Sequence, residues 1–380
     1  MNTVASKSLL KLDPSLDRLG DKDKNLRDGL SAVVLVENTL WVAGDETTRL
    51  ERLIRAGNGD GKEVYDRHEA FALSTYLDLP AKDKEEADIE GMDVSDGYLW
   101  LVGSHSLKRG QPKKKAGESA DAYRKSLLAK PKTDGNRFLL ARIPLLRHDD
   151  TFKLAKETDV GGSKRVAARL RGDAEGSDLT AALASDKHLG PFLSIPGKDN
   201  GLDIEGLCVA GERVFVGLRG PVLRGWATVL ELAVRPDPGS PSVFGLQEIG
   251  PGGQRYRKHF LALGGLGVRD LCVDGADLLI LAGPTMDLDG PVAIFRWPNG
   301  ARPGEESVVF ADGIFADGIK KLADVPFGAD ADHAEGMTLH RAEGGQDLSV
   351  LLLYDAPSKE RKESPDGETN VQADIFRLDR

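Results

Sequence analysis

Two carboxylates set one residue apart at the head of an apolar run are costly unless they meet water, a cation, a substrate or backbone amides. The chain carries that pattern in "EADIEGMDV" at 87–95, again in "GLDIEGLCV" at 201–209 and more faintly in "ADHAEGMTL" at 331–339. These stretches supply Asp88 and Glu90, Asp203 and Glu205, and His333 with Glu335. "GVRDLCV" at 267–273 brings Arg269 and Asp270 to the corresponding place, and either one fits the position that is Glu elsewhere. Converging acids suit a hard divalent cation, Ca²⁺ above all, which takes roughly six to eight oxygen ligands. The candidate metal ligands are therefore Asp88, Glu90, Asp203, Glu205 and Asp270. Arg269 could instead neutralise the acids without a metal. The structural alternative is that the carboxylates accept backbone N–H groups of a neighbouring unit and only pin the fold.

These acids need an architecture that gathers distant positions. Each pair opens a repeated unit of a strand, a turn, a second strand ending in Gly or a similar break, a polar loop and a third strand. One copy reads "DIEGMDVS", "DGYLWLVGSHS" and "NRFLLARIPL"; the next reads "DIEGLCVAG", "ERVFVGLRGPV" and "GWATVLELAV". Further copies run through "VRDLCVDG" and "AEGMTLH", and an earlier one without the acids starts at "LSAVVLVEN". Five copies at roughly 60 residues each, with 44 glycines in 380 residues, point to an all-β chain of many tight turns, organised as a β-propeller. We read residues 1–380 as one propeller domain of five blades, with six as the alternative if 151–200 hides a degenerate blade. "SKSLLKLD" at 6–13 could close the ring by supplying the outer strand that the last copy lacks. Inserts fall near 111–132, with a short helix from Ser119, and at 161–200, with a helix capped by Ser177 or Asp178.

In such a ring the first strand of each blade lines the channel, and the end of the second lies beside its start. Strand-two ends therefore add Asp45 and Glu46, Ser104 and His105, Arg219, Thr285 and Asp287, and Asp355 to the same face. His333, His105 and Glu335 are the candidate acid and base groups. Asp45, Glu46, Arg219, Arg269, Asp287 and Asp355 are candidate binding residues for a small anionic molecule or a peptide at the channel mouth.

Composition narrows the classes. A net charge of −10 argues against a general nucleic-acid binder. Cys208 and Cys272, each within an "LCV", read as buried hydrophobes of a reducing compartment. No signal-peptide core and no long apolar run is present, so the expected location is cytoplasmic with no membrane contact. "GSHS" at 103–106 is not a nucleophile elbow, and "DKDKNLRD" at 21–28 lacks the Gly and the final acid of an EF-hand. The basic run "KRGQPKKKAG" at 108–117 reads as a solvated loop that could hold an anionic tail over the acids.

The chain resembles the bacterial family catalogued as domain of unknown function 3616, on "DIEGM" with "GSHS", "NGLDIEGL" with "GLRGPVLRGWA", "GPTMDLDGP" with "IFRW", and "AEGMT" with "LYDAPS". The likeness runs from about residue 30 to the C-terminus. More distantly, the "DIEGL" strands are similar to those of phytase-like and esterase-like propellers, a group in which channel acids often bind calcium. That resemblance implies a divalent metal, although no dense calcium cluster is apparent in this chain. Two functions follow: a metal-assisted hydrolase of a small phosphoester, ester or lactone, or a non-catalytic propeller that binds a ligand, or a protein partner through its inserts.

Overall fold

Runs such as "LSAVVLV" and "YLWLVG" are short, β-branched or aromatic and bounded by Asn, Asp or Gly turns, and each forms a strand. The computed structural model describes residues 4–19, 24–59, 62–82, 85–109, 117–126, 131–286, 288–315, 317–341, 348–362 and 369–378. Asp287 and much of the basic insert lie outside the described residues.

The strands group in antiparallel sets. β1 (Val4–Lys11) stands apart in sequence; β2 (Leu30–Val36), β3 (Thr39–Gly44), β4 (Arg49–Gly59) and β5 (Lys62–Ala72) form the first set. β6 (Ile89–Ser95), β7 (Tyr98–Gly103), β8 (Leu140–His148) and β9 (Ala168–Leu170) form the second. β10 (Asp203–Ala210), β11 (Arg213–Leu223), β12 (Trp226–Leu232) and β13 (Arg257–Leu261) form the third. β14 (Gly267–Asp274), β15 (Asp277–Gly283), β16 (Val292–Trp297) and β17 (Lys320–Val325) form the fourth. β18 (His333–His340), β19 (Leu348–Asp355) and β20 (Asn370–Leu378) form the last, and β1 pairs with β20 on one side and, in parallel, with β5 on the other.

The leading strands β2, β6, β10, β14 and β18 touch one another in that order, and β18 returns to β2. An apolar cluster fills each space between neighbouring sets, including Trp41 with Leu99, Val102 with Ile204, Phe215 with Leu271, Leu281 with Met337, and Val42 with Leu351. Sheets twisted about a common axis bury both faces in this way, which is why inner strands read as nearly continuous apolar runs. Both free cysteines are buried, Cys208 between the third and fourth sets and Cys272 between the fourth and fifth. Between 151 and 200 the chain supplies the hairpin Glu157–Val160/Ser163–Val166, the outer strand β9 and a helix, Asp178–Leu183, whose N-terminus is capped by the Ser177 side chain. The 111–132 insert contributes the helix Ala120–Ser126. No helix among the described residues is long and apolar enough to cross a membrane.

Candidate functional site

All five leading strands break register at a corresponding position, between Leu30 and Ala32, Ile89 and Gly91, Ile204 and Gly206, Val268 and Asp270, and Ala334 and Gly336, and β10 shifts again between Asp203 and Ile204. The residue left unpaired at each bulge is Ser31, Glu90, Glu205, Arg269 or Glu335 in turn. A bulge re-aims the side chain it releases, and four of these five side chains, all but Ser31, line one cavity of about 760 Å³. Ser31 donates to the Ile89 carbonyl at 2.5 Å. Gly91 and Gly206 leave room for the next strand: a Cβ at Gly91 would lie 2.7 Å from the Leu207 nitrogen.

The bulge settles the choice between Arg269 and Asp270. Arg269 occupies the Glu position and reaches Glu205 Oε2 at 2.9 Å and Glu335 Oε1 at 2.7 Å. Asp270 occupies the Gly position, outside the cavity lining, and accepts N–H groups from Leu271 at 2.8 Å and Met337 at 2.7 Å. It is a pin between β14 and β18 rather than a candidate metal ligand, and burial drives its pKa well up. Asp93, on β6 of the second set, does the same work from β6 to β10, accepting from Val94 and Val209 at 2.7 Å each.

His105 also lies away from the cavity lining. It is buried, with Nδ1 2.9 Å from the Gly103 carbonyl and Phe138 against its ring, and burial lowers its pKa to about 4. A neutral imidazole enclosed in this way is a wall residue, not a group that meets substrate.

Ser104, which bonds Ser106, and Thr285, which bonds Asn200, also lie outside the lining, whereas Asp45, Glu46, Asp88, Glu90, Asp203, Glu205, Arg219, Arg269, His333, Glu335 and Asp355 line the cavity. Asp287 lies outside the described residues. Three residues not foreseen complete the constellation. Arg137, from the 3₁₀ turn Gly135–Phe138, grips both oxygens of Asp88 at 2.9 and 3.0 Å and Ser106 at 2.9 Å. Asp289 accepts from the Asp330 amide and holds His333 Nε2, both at 3.0 Å. Lys198, exposed at the mouth, lies close enough to Asp355 to stabilise its charge.

Charge is unevenly shared around this cavity. Arg219 bonds Glu205 Oε1 at 2.7 Å and the Met286 carbonyl, and stands 4.0 Å from Asp203. Arg137, Arg219 and Arg269 thus brace Asp88, Glu205 and Glu335. Across the cavity, the side chains of Asp45 and Glu90 accept no hydrogen bond and form no ion pair among the described residues, and Asp355 accepts only the Ala356 amide at 2.7 Å. Burial, then Asp88, Asp355 and Glu46, push Asp45 up to about 8. Burial and the neighbouring acids hold Glu90 well above the carboxylate range and place Asp203 at about 7. Near neutrality several of these carboxyls keep a proton.

Metal binding requires several oxygens around one point. Among the described residues no three His, Cys, Asp or Glu side chains are grouped to hold one ion, and arginines or backbone amides already occupy Asp88, Glu205, Glu335 and Asp270. The acids present do not fit a calcium cage, so the mechanism below runs through the chain's own groups.

Comparison with curated proteins by sequence gives no match. Among solved structures, the chain is similar to the glutaminyl cyclase of Myxococcus xanthus, with 9% identity over 93% of each chain and a TM-score of 0.36. It is similar to a streptogramin B lyase, with 10% identity over 99% of each and a TM-score of 0.33. An exo-1,5-alpha-L-arabinanase from a bovine ruminal metagenomic library gives 7% identity over 96% of this chain and 99% of that one, with a TM-score of 0.36. The model of the family described as "Protein of unknown function (DUF3616)" matches residues 29–374, and the chain belongs to that family.

Proposed function

We propose that the strand sets form a five-bladed propeller closed by β1, and that its channel mouth hydrolyses a small ester or lactone by acid–base catalysis. The observation that carries this reading is the presence on one cavity of two groups poised for opposite proton transfers. Glu90 is held protonated by burial and neighbouring acids, whereas His333 is oriented by Asp289 through Nε2, leaving Nδ1 for a water. A protonated carboxyl and an oriented imidazole on one cavity supply the acid and the base that hydrolysis needs.

The step balances without a cofactor. Water attacks the carbonyl carbon as His333 Nδ1 takes its proton; the C–O bond breaks as Glu90 gives its proton to the leaving oxygen. Solvent then carries the proton from His333 back to Glu90. Among the described residues thirteen Asp and Glu against eight Lys and Arg line the cavity, which disfavours phosphoester dianions.

The test is a panel of p-nitrophenyl acetate, short-chain lactones and p-nitrophenyl phosphate with the wild type, Glu90→Gln and His333→Ala, with and without chelator. The expected result is ester or lactone turnover that survives chelation and falls by about 10²–10⁴ in each variant. Equal turnover in the variants would overturn the roles, and turnover restored only by Ca²⁺ would return the acids to a metal. No turnover with intact folding would favour a binding propeller.

A further inference from the structure

The arginine-free side of the cavity has a geometry of its own. Asp45, at the end of β3, and Asp355, at the end of β19, meet across Gly29, which forms an isolated bridge with Asp355 and accepts the Asp45 amide at 3.3 Å. A Cβ at Gly29 would lie 2.7 Å from Asp45 Oδ1 and 4.0 Å from Asp355 Oδ1. The missing side chain is therefore what leaves a cradle between the two carboxyls, and both open into the cavity.

We infer that this cradle seats a primary ammonium or guanidinium group of the ligand, so that the substrate is an amine-bearing ester or lactone. The inference rests on the channel mouth being the ligand site. Nearby charges do not fill the role: Lys24 is paired with Glu46, His333 with Asp289, and Arg269 with Glu205 and Glu335. Lys198 approaches from the exposed rim and favours the charged form of Asp355. The like-charged neighbours of Asp45 are Asp88, Asp355 and Glu46, so a cation placed between Asp45 and Asp355 relieves repulsion as well as making charge-assisted hydrogen bonds.

The lining also selects the kind of cation. Among the described residues it holds leucines and a proline but no Phe, Tyr or Trp. A quaternary ammonium has no N–H to give and depends on aromatic faces, whereas a primary amine or guanidinium donates directly to carboxylates.

Agmatine, which carries both groups, is the test ligand, with choline and 1,4-butanediol as controls and CaCl₂ as a competing cation. Isothermal titration at matched ionic strength uses the wild type, Asp45→Asn and Asp355→Asn. Each variant replaces one carboxyl of the cradle by an amide of the same shape, and folding is checked by circular dichroism. The expected result is saturable agmatine binding weakened at least about tenfold by either variant, an effect of roughly 1.4 kcal/mol, with choline and butanediol silent. Absent agmatine binding, binding unchanged in both variants, equal binding of choline, or stoichiometric Ca²⁺ in place of agmatine would each overturn the inference. Turnover that depends on Glu90 without agmatine binding would leave the hydrolase reading standing and remove this one. Agmatine binding by a folded protein that turns over no ester or lactone would leave the cation seat standing and remove the hydrolase reading.

Discussion

Replacing Asp203 by Asn should make the protein more stable above neutrality and leave it almost unchanged in acid. Asp203 is 6% exposed, and its nearest cation, Arg219, stands 4.0 Å away. Burial and Glu205 raise its pKa from 3.8 to about 7. Between those values the native state binds a proton that the unfolded chain has lost, so wild-type stability falls as pH rises. The shift is roughly three units at about 1.4 kcal/mol each, a ceiling of about 4 kcal/mol by pH 8. Asn has the shape of the protonated acid and carries no such penalty. Urea unfolding should therefore give near-equal midpoints at about pH 4 and a variant more stable by about 2–4 kcal/mol at pH 8, with an unchanged m-value. A variant less stable at pH 8, or shifted equally at both pH values, would refute the reasoning. It would mean that Asp203 is ionised and held by Arg219.

The whole protein should follow the same sign, losing stability from about pH 5 to pH 8 as Asp45, Asp93 and Asp203, at about 8, 7 and 7, give up protons; thermal unfolding across that range measures it. On the acid side the slope reverses. Burial opposes it, yet hydrogen bonds from Lys258 and Tyr256 hold Asp186 at about 2, and that stability is lost as pH drops from about 4 toward 2. Asp270→Ala should cost about 2–4 kcal/mol in urea unfolding by orphaning the Leu271 and Met337 amides, with agmatine titration unaltered. Leu10→Ala, at a fully buried β1 position, should cost about 2–5 kcal/mol. If β1 closes the ring, hydrogen exchange should accelerate in β5 as well as β20.

The repeat made the acid positions legible because the bulge is a local device, written into each strand as an apolar residue, an acid and Gly. Glu90, Glu205 and Glu335 follow from it directly. Arg269 and Asp270 could not be told apart by spacing, since the fourth strand puts Asp where the others put Gly; only the register distinguishes them. The pinning acids were harder still. Asp93 and Asp270 occupy different repeat positions and hold amides at correspondingly different positions of the next strand, so no alignment column marks the role. Arg137 and Asp289 come from loops whose path depends on tertiary contacts. For His105 the strand-two position was read as facing the mouth, but a left-handed backbone, with φ of 54°, accompanies a ring turned back on the Gly103 carbonyl.

The seating of β1 between β20 and β5 has a temporal consequence. Ser8 pairs with Ala373 on one side and Glu63 on the other, so β1, made before both partners, can pair with β5 once that strand follows but gains its antiparallel partner only when β20 emerges. At about 5–20 residues per second that wait is on the order of 20–70 s. During it the growing chain presents an open sheet edge, which makes this protein a candidate client for chaperones throughout its own synthesis.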